Sequence, residues 1–439
     1  MKMNVKCWYG VSTSSILLAM ALTGCGQGEV KTVETKASAK PFEGKTLTVT
    51  LANHIWGDTL KPLIPEFEAA TGMKVEVQSL FEDQLDQKLT VQFTSKSSTP
   101  DVFVYRPQQS GKLYYKNGWV QPLDEYIKKD SAYDFADFAK PSISSTTVDQ
   151  VLTGIPIITE QAVLYYRKDL LQNAGIAVPK TLDELEAAAK KLNDPNNGVS
   201  GFVARGQRGA LVSQVSMFLF SEGGEFMKDG KALVNSEEAV KAFTLYGSLL
   251  KNYGPPGVLN MSWPQASGLF AQGKAAFYTD ATSIYENLTD PQKSKVSDKV
   301  GFALFPSGKG GQHPYNVTSW ALAINKSAAN KDAAWEFIKW ATSKEITLKT
   351  QKKGNPSART SAWNNPEGTS SFPKELVEVI KESSKIGKEY NRPSVINVGE
   401  ASDAVGTIVV KAILGENVKD AADKANQELQ AIIDKEKSK

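Results

Sequence analysis

Short strand patterns alternate with amphipathic helix patterns along most of this chain. Leu47, Val49 and Leu51 alternate with threonines, which predicts a strand in which one face is apolar. A helix is predicted over residues 58–70, and it ends at Gly72, a residue suited to the left-handed conformation of a helix stop. Alternation of this kind is typical of a mostly parallel sheet with helices on both faces. The sequence therefore predicts an α/β fold.

The same alternation continues along the rest of the chain. Further strands are predicted over residues 74–77, 101–105, 155–158, 162–166, 201–204, 275–278, 300–305 and 319–324. Helices are predicted over residues 84–93, 181–192, 236–252, 333–342 and 418–433. Thr181 is expected to cap the second of these helices, because a threonine oxygen accepts hydrogen bonds from the free amides of a first turn.

The N-terminal segment has the features of an export signal. Lys2 and Lys6 precede an apolar run over residues 16–22, which is far shorter than the roughly 20 residues that span a bilayer. The run ends in Leu22-Thr23-Gly24-Cys25, which resembles the bacterial lipoprotein lipobox. This resemblance implies a diacylglyceryl group on Cys25 and a signal peptide over residues 1–24. The alternative is a soluble secreted protein with an incidental cysteine.

The residues after the signal are polar. Residues 25–41 show no apolar periodicity, so we expect a flexible tether between the lipid and the folded body. The chain has 51 basic and 48 acidic residues, and the two lysines that leave with the signal bring the net charge to about +1. Such a balance gives no electrostatic reason to expect a nucleic-acid partner.

Cysteine and histidine are scarce. Cys7 lies in the signal and Cys25 would be acylated, so the folded body would have no disulfide, thiol catalyst or cysteine metal site. His54 and His313 are the only histidines and lie far apart in sequence. We therefore expect neither a metal nor a cofactor.

Three stretches resemble the extracellular solute-binding proteins of the carbohydrate type, the maltose-binding-protein-like group. They are Phe67-Glu68-Ala69-Ala70-Thr71-Gly72, the block from Gly154 to Glu184 with its Leu-Tyr-Tyr-Arg-Lys-Asp-Leu segment, and Phe270-Ala271-Gln272-Gly273-Lys274. Weaker features at residues 255–257, 290–296 and 334–338 resemble members that bind polyols or small sugars such as sorbitol, mannitol or trehalose.

The resemblance implies two lobes joined by three chain crossings, with a ligand bound in the cleft between them. The crossings are expected near residues 154–161, 314–320 and 354–364. Lobe 1 would comprise residues 42–155 and 318–360, and lobe 2 would comprise residues 156–317 and 361–439.

A sugar or polyol presents C–H faces to aromatic rings and hydroxyl groups to charged side chains. Trp56, Trp263 and Trp320 flank predicted loops or crossings, and for each of them cleft and core remain open. Tyr105 and Arg106 follow a predicted strand at a loop that binds ligand in the family.

Further polar candidates keep an alternative role. Glu160 is a candidate ligand contact or a hinge salt-bridge partner, and Asp280 is a candidate contact or a helix N-cap. Arg205 is similarly placed in lobe 2. Arg359 would reach the cleft or brace it, and Asn316 is a further candidate.

The leading interpretation is a lipid-anchored, extracytoplasmic receptor that captures a carbohydrate or polyol. It would act as a monomer and deliver the ligand to the membrane permease and ATPase subunits of an ABC importer. The sequence has no P-loop, so ATP hydrolysis would belong to a partner subunit. One alternative is a carbohydrate-active enzyme that uses Glu160 and Asp280 as acid and base. Another is a binding protein that serves a sugar sensor.

Overall fold

The computed structural model describes Lys40 and residues 42–437. Its strands are β1 (Thr46–Ala52), β2 (Lys74–Leu80), β3 (Val102–Tyr105), β4 (Thr147–Val148), β5 (Val151–Leu152), β6 (Ile155–Arg167), β7 (Ser200–Val203), β8 (Met227–Lys228), β9 (Lys231–Ala232), β10 (Ala275–Ala281), β11 (Val300–Leu304) and β12 (Asn316–Ile324). The predicted signal, Cys25 and the rest of the tether apart from Lys40 lie outside the described residues.

The helices alternate with these strands, as the sequence predicts. They are α1 (Ile55–Leu60), α2 (Ile64–Thr71), α3 (Glu82–Thr94), α4 (Lys112–Lys116), α5 (Asp124–Lys129), α6 (Lys140–Ser145), α7 (Lys168–Ala174), α8 (Leu182–Leu192), α9 (Val212–Ser221), α10 (Glu237–Tyr253), α11 (Trp263–Ala271), α12 (Glu286–Thr289), α13 (Lys331–Ala341), α14 (Lys344–Gln351), α15 (Thr360–Asn364), α16 (Lys374–Ile386), α17 (Val398–Leu414) and α18 (Val418–Lys437).

The principal sheet has the strand order β2-β1-β3-β12-β6-β10-β7, and β11 also pairs with β6. Strand β1 runs parallel to β2 and β3, and β7 runs parallel to β10. Within this sheet, the antiparallel pairs all involve β6 or β12, which pair with each other and with β3, β10 and β11. The two ends of the sheet are therefore parallel, and the strands that connect them are antiparallel.

Strand β6 is the long connecting element. The sequence predicts two strands here, over residues 155–158 and 162–166, but the structure has one continuous strand of 13 residues. Its first part pairs with β12, and its second part pairs with β10 and β11. The segment around Ser357 lies beside the middle of β6, where the Thr159 amide donates to the Pro356 carbonyl over 2.9 Å.

The buried apolar residues form separate clusters on the two sides of this connection. The cluster that we call the N-terminal core is drawn from residues 47–158 and 320–358. Two further clusters, which we call the C-terminal cores, are drawn from residues 162–317 and 372–433. The clusters meet along β6 and β12, so these strands link the two parts of the fold.

Several predicted elements have different bounds in the structure. The helix predicted over residues 58–70 is divided into α1, a 3-10 turn and α2, because Pro62 and Pro65 lack the amide that a continuous helix needs. It does end at Gly72, which has the left-handed φ of 78°. Helix α9 was not predicted because every one of its residues is buried, and its sequence has no polar face.

None of the helices within the described part of the chain combines the length and the apolar character that crossing a membrane requires.

Candidate functional site

A cleft of about 410 Å³ opens where the N-terminal core and the C-terminal cores face each other. Its lining includes residues from α1 and α3 on one side, the connecting strands β6 and β12, and residues from α11 and the α16–α17 loop on the other. Five residues that the sequence singles out lie together here, namely Arg106, Glu160, Arg205, Trp263 and Trp320. Their predicted contact with a ligand stays a prediction.

Arg106 leaves the end of β3 on the cleft side and is held by two carboxylates. Its guanidinium donates to Glu82 Oε2 over 2.9 Å and to a carboxylate oxygen of Asp86, both on α3. The same guanidinium lies 5.9 Å from the centre of the Trp320 ring. Because α3 supplies two acidic partners, Arg106 is fixed in position and its charge is compensated within the protein.

Arg205 is held by a single buried carboxylate. It follows β7, and its Nε donates to Asp280 Oδ2 over 2.8 Å while a second guanidinium nitrogen binds Asp280 Oδ1. Asp280 is fully buried in β10 and also accepts from Gln214 Nε2, the Tyr278 hydroxyl and the Ala281 amide. This carboxylate therefore orients Arg205 from behind.

Glu160 faces the cleft from the middle of β6. One of its carboxyl oxygens accepts a hydrogen bond from the Ser283 hydroxyl. Among the described residues, no lysine, arginine or histidine nitrogen forms a salt bridge with this carboxyl, so the structure offers no hinge salt bridge to Glu160. Burial raises its pKa to about 7, and the negative charges of Asp280 and Glu82 add to that rise, while Ser283 and Arg205 oppose it.

Two tryptophans border the cleft in different settings. Trp320 lies on β12 and is almost fully buried, with its ring centre 6.1 Å from that of His54. Trp263 is the first residue of α11 and is half-buried. Pro264 follows it at a position where a helix does not need the missing amide. Trp263 is therefore more exposed than Trp320.

The other five candidates lie outside the cleft lining. Tyr105 is fully buried in the N-terminal core, where its hydroxyl lies 2.8 Å from Thr153 Oγ1. Successive residues of a strand point to opposite faces, so Tyr105 faces the core when Arg106 faces the cleft. A Cβ on Gly154 would lie 2.7 Å from the Tyr105 ring, so the tyrosine ring occupies the space beside this glycine.

Trp56 belongs to the N-terminal core, and Arg359 packs against it. Trp56 is 4% exposed. Arg359 is fully buried, lies 4.1 Å above the Phe138 ring and donates to Asp137 and to three backbone carbonyls. Of the two roles that the sequence leaves open for Arg359, the structure places it in the bracing one.

Asp280 and Asn316 lie behind the cleft. The sequence allows Asp280 to be a helix N-cap, but β10 continues through Ala281 and the carboxylate binds Arg205 instead. Asn316 accepts from Gln161 Nε2 over 2.9 Å in a buried pair that joins β12 to β6. Both side chains are buried, and their hydrogen bonds connect residues that are far apart in sequence, Asn316 with Gln161 and Asp280 with Arg205.

Several lining residues have no counterpart in the sequence analysis, among them Glu82, Asn391 and Arg392. Glu82 begins α3, and Asn391 and Arg392 lie between α16 and α17. Arg392 donates to the Gly209 carbonyl over 3.1 Å and to the Ser402 hydroxyl over 3.3 Å. The polar Asn-Arg-Pro segment is a loop signal, but it could not be placed because neither flanking helix was predicted.

Metal ligands are not assembled in the described residues. No group of three or more His, Cys, Asp or Glu side chains in residues 42–437 could hold a metal ion. The cleft is lined by hydrogen-bonding groups and by the indole rings of Trp263 and Trp320.

Known proteins are similar to this chain in sequence and in fold. The family of bacterial extracellular solute-binding proteins matches residues 53–347. The mannitol-binding protein of Pseudomonas aeruginosa is 32% identical over 312 residues, which are 68% of this chain and 69% of that protein.

Two solved structures are similar over nearly the whole described chain. An ABC transporter solute-binding protein from Agrobacterium radiobacter K84 in complex with ribitol has a TM-score of 0.81 and 33% identity, covering 89% of this chain and 100% of that one. A solute-binding protein from Agrobacterium vitis S4 with bound D-mannitol has a TM-score of 0.75 and 29% identity, covering 90% and 98%. These likenesses confirm the predicted α/β, two-lobed fold. Because the family match covers more than half of the sequence, the chain belongs to the bacterial extracellular solute-binding proteins.

Proposed function

We propose that this protein binds a polyol or small sugar in the cleft and delivers it to the membrane subunits of an ABC importer. The observation that carries the proposal is the set of side chains at the cleft. Arg106 and Arg205 are held by carboxylates, Glu160 has free hydrogen-bonding capacity, and Trp263 offers an aromatic surface. Relatives with about 30% identity bind mannitol and ribitol.

The chemistry of a polyol suits this lining. Its hydroxyl groups accept from guanidinium groups and exchange hydrogen bonds with a carboxyl group, while its C–H groups contact an indole face. The volume of about 410 Å³ lies within the ~300–1,000 Å³ typical of small-molecule sites. The cleft therefore has the size and the polar groups for a single small ligand.

Binding without catalysis is favoured by the state of Asp280. The enzyme interpretation requires Glu160 and Asp280 to act as an acid and base pair on either side of a bond. Asp280 is fully buried and already accepts hydrogen bonds from Arg205, Gln214, Tyr278 and Ala281. A carboxylate with these contacts has no free position for a substrate proton.

The interlobe movement is part of the proposal. We propose that lobe 1 (42–155 and 318–360) and lobe 2 (156–317 and 361–439) close over the ligand about the strands β6 and β12 and the segment near Ser357. The separate clustering of the buried apolar residues supports a division into two lobes, although Ile157 and Ile158 of the proposed lobe 2 pack in the N-terminal core. A ligand that contacts both lobes binds the closed state better than the open one, which is the condition for a ligand to drive closure.

The location follows from the family and from the N-terminus. Membership of the extracellular solute-binding proteins supports an extracytoplasmic location. We propose that Cys25 carries the lipid that holds the protein on the membrane, because two acyl chains on one residue are enough for stable anchoring. Cys25→Ser should abolish labelling by a radioactive fatty acid and release the protein from the membrane fraction. Retention of the unlabelled variant on membranes would show that another element anchors it.

The ligand proposal is tested by thermal unfolding with a library of polyols and sugars. A ligand at 100 times its dissociation constant should stabilise the native state by about 2.7 kcal/mol. Betaine at the same concentration controls for non-specific stabilisation by osmolytes. Mass spectrometry of the recovered ligand should find it unchanged. If no polyol or sugar stabilises the protein, or if a product accumulates, the proposed function is wrong.

A further inference from the structure

Glu160 is an acidic group in the cleft that lacks a positively charged partner. It lies at the middle of β6, opposite Val317 of β12, where the two connecting strands run side by side. Its one hydrogen bond within the described residues comes from the Ser283 hydroxyl. The second carboxyl oxygen is left for a molecule in the cleft. This arrangement differs from that of the other acidic groups close to it.

The neighbouring arginines compensate a charge on Glu160 only in part, because each is already paired with a carboxylate. Arg205 is bound through two nitrogens by Asp280, and Arg106 is bound by Glu82 and Asp86. Each of these arginines has at least one carboxylate partner of its own. A negative Glu160 would therefore add a charge that is only partly compensated.

We propose that Glu160 contacts the ligand as a neutral carboxylic acid, so that binding of a polyol is coupled to the uptake of a proton. This inference rests on the proposed function of the cleft. In the neutral form, the carboxyl group still accepts from Ser283 at one oxygen and donates its own O–H to a ligand hydroxyl from the other. A carboxylate could only accept at both positions.

The direction of the coupling follows from burial. Burial already raises the pKa of Glu160 to about 7 without a ligand in the cleft. A polyol that fills the cleft expels water that would solvate the negative form, so the pKa in the complex is higher still. Because the complex then holds a proton that the free protein has lost, affinity falls as the pH rises above about 7.

The charged groups that face Glu160 are Asp280, Glu82 and Arg205. Asp280 binds Arg205, Glu82 binds Arg106, and the contact with Asp280 raises the pKa of Arg205 above its usual value. Tyr165 and Tyr315 stay neutral, because burial raises the pKa of both phenols above the usual value.

Two more cleft residues bound the useful pH range. Burial lowers the pKa of His54 to about 4, so its imidazole is neutral above pH 6. Burial beside Arg106 and Arg205 lowers the pKa of Arg392 to about 9, so its guanidinium is charged below pH 8. The coupling is therefore best measured between pH 6 and pH 8.

Glu286 is the matched control within the same cleft. Burial raises the pKa of its carboxyl, but it lies near Lys293 and Asp290, and Glu160 is not among the groups that shift it. The variants Glu160→Gln and Glu286→Gln make the same chemical change at the two positions. Glutamine has the shape of a protonated glutamate and cannot titrate.

The experiment is calorimetric titration of the full protein and both variants with ribitol and with D-mannitol at pH 6, 7 and 8. If the ligand raises the pKa of Glu160 by about one unit, the affinity of the unmodified protein should fall about fivefold from pH 6 to pH 8. Titrations at pH 7.5 in two buffers of different ionisation enthalpy should show net proton uptake.

The two variants separate the possible outcomes. Glu160→Gln should bind with a pH-independent affinity and take up no proton, and Glu286→Gln should keep the fivefold fall. The inference is wrong if affinity is constant or rises with pH, or if the fall disappears in Glu286→Gln and persists in Glu160→Gln. Binding without proton uptake overturns this inference alone. If neither polyol binds at any pH, this inference is overturned, and the proposed function is overturned only when the library of polyols and sugars fails as well.

Discussion

At the scale of single residues, the contact between Arg205 and Asp280 combines a structural role with a position at the cleft. Arg205 is 15% exposed, whereas Asp280 is fully buried and depends on it for a positive partner. The sequence alone suggests that Arg205 affects ligand affinity only. The buried carboxylate changes that expectation, because removing one member of a buried ion pair leaves the other uncompensated.

We expect Arg205→Met to lower the free energy of unfolding of the ligand-free protein by about 3–5 kcal/mol. Arg208→Met is the matched control, because Arg208 pairs with Asp403 at a surface where both side chains are more than half exposed. That change should cost less than about 1 kcal/mol. Urea denaturation of both variants checks the prediction. If Arg205→Met lowers the free energy of unfolding as little as Arg208→Met does, Asp280 does not depend on Arg205.

His54 should make the protein sensitive to acid. Its Nδ1 accepts from the Trp56 amide at the start of α1, and burial lowers its pKa from 6.5 to about 4. The unfolded chain therefore binds a proton below pH 6.5 that the folded protein does not bind. The stability that comes from a neutral His54 is present above pH 6.5 and is lost as the pH falls towards 4.

The size of this loss is on the order of 1–3 kcal/mol. His54→Asn keeps an N-cap acceptor and removes the titration, so it should reduce the loss of stability between pH 6.5 and pH 4.5. His313→Asn should leave that loss as it is in the unmodified protein. Thermal unfolding in matched buffers across this range provides the measurement. Equal pH profiles for all three proteins would exclude a role for His54.

The limits of sequence reasoning are clear at this scale. Tyr105 is the last residue of β3 and Arg106 follows it. A residue-by-residue resemblance does not distinguish the one that faces the cleft from the one that faces the core. Arg205 and Asp280 are both polar and are far apart in sequence. Only the pairing of strands β7 and β10 brings them together and decides which of them is exposed.

At the scale of elements, local signals predict a helix best when its ends and its polar face are both marked. Helix α8 has both, since Thr181 accepts from the Glu184 amide and the Glu184 side chain accepts from the Thr181 amide. Helix α9 has neither, because the helix is buried on all sides. Pairing between strands that are distant in sequence, as for β6, cannot be predicted from local patterns either.

The capping contact at α8 predicts a specific loss of stability. Thr181→Ala removes the side-chain acceptor and should cost about 0.5–2 kcal/mol. Thr244→Ala is a matched control on the exposed face of α10, where alanine favours the helix. It should be neutral or slightly stabilising. Denaturant unfolding of both variants tests this difference, and a loss at Thr244 as large as at Thr181 would contradict it.

At the scale of the whole molecule, strands β6 and β12 connect the two parallel ends of the sheet. The first part of strand β6 pairs with β12, its second part pairs with β10 and β11, and the cleft opens beside this connection. Under the proposed closure, a ligand that contacts Arg106 from one side and Arg205 or Trp263 from the other would gain those contacts together only in the closed state. Its affinity for the closed state would then be higher, and binding would shift the population towards closure.

Closure should be visible in solution when ribitol or D-mannitol is added at saturation. The radius of gyration from X-ray scattering should decrease, and the tryptophan emission should change because Trp263 becomes less accessible to water. The emission change should be reduced in Trp263→Phe and retained in Trp335→Phe, since Trp335 is packed in the N-terminal core away from the cleft. If saturating ligand leaves both the radius and the emission unchanged, the protein binds without closing. If Trp335→Phe removes the response and Trp263→Phe does not, the signal arises from the core, and Trp263 is not a reporter of the site.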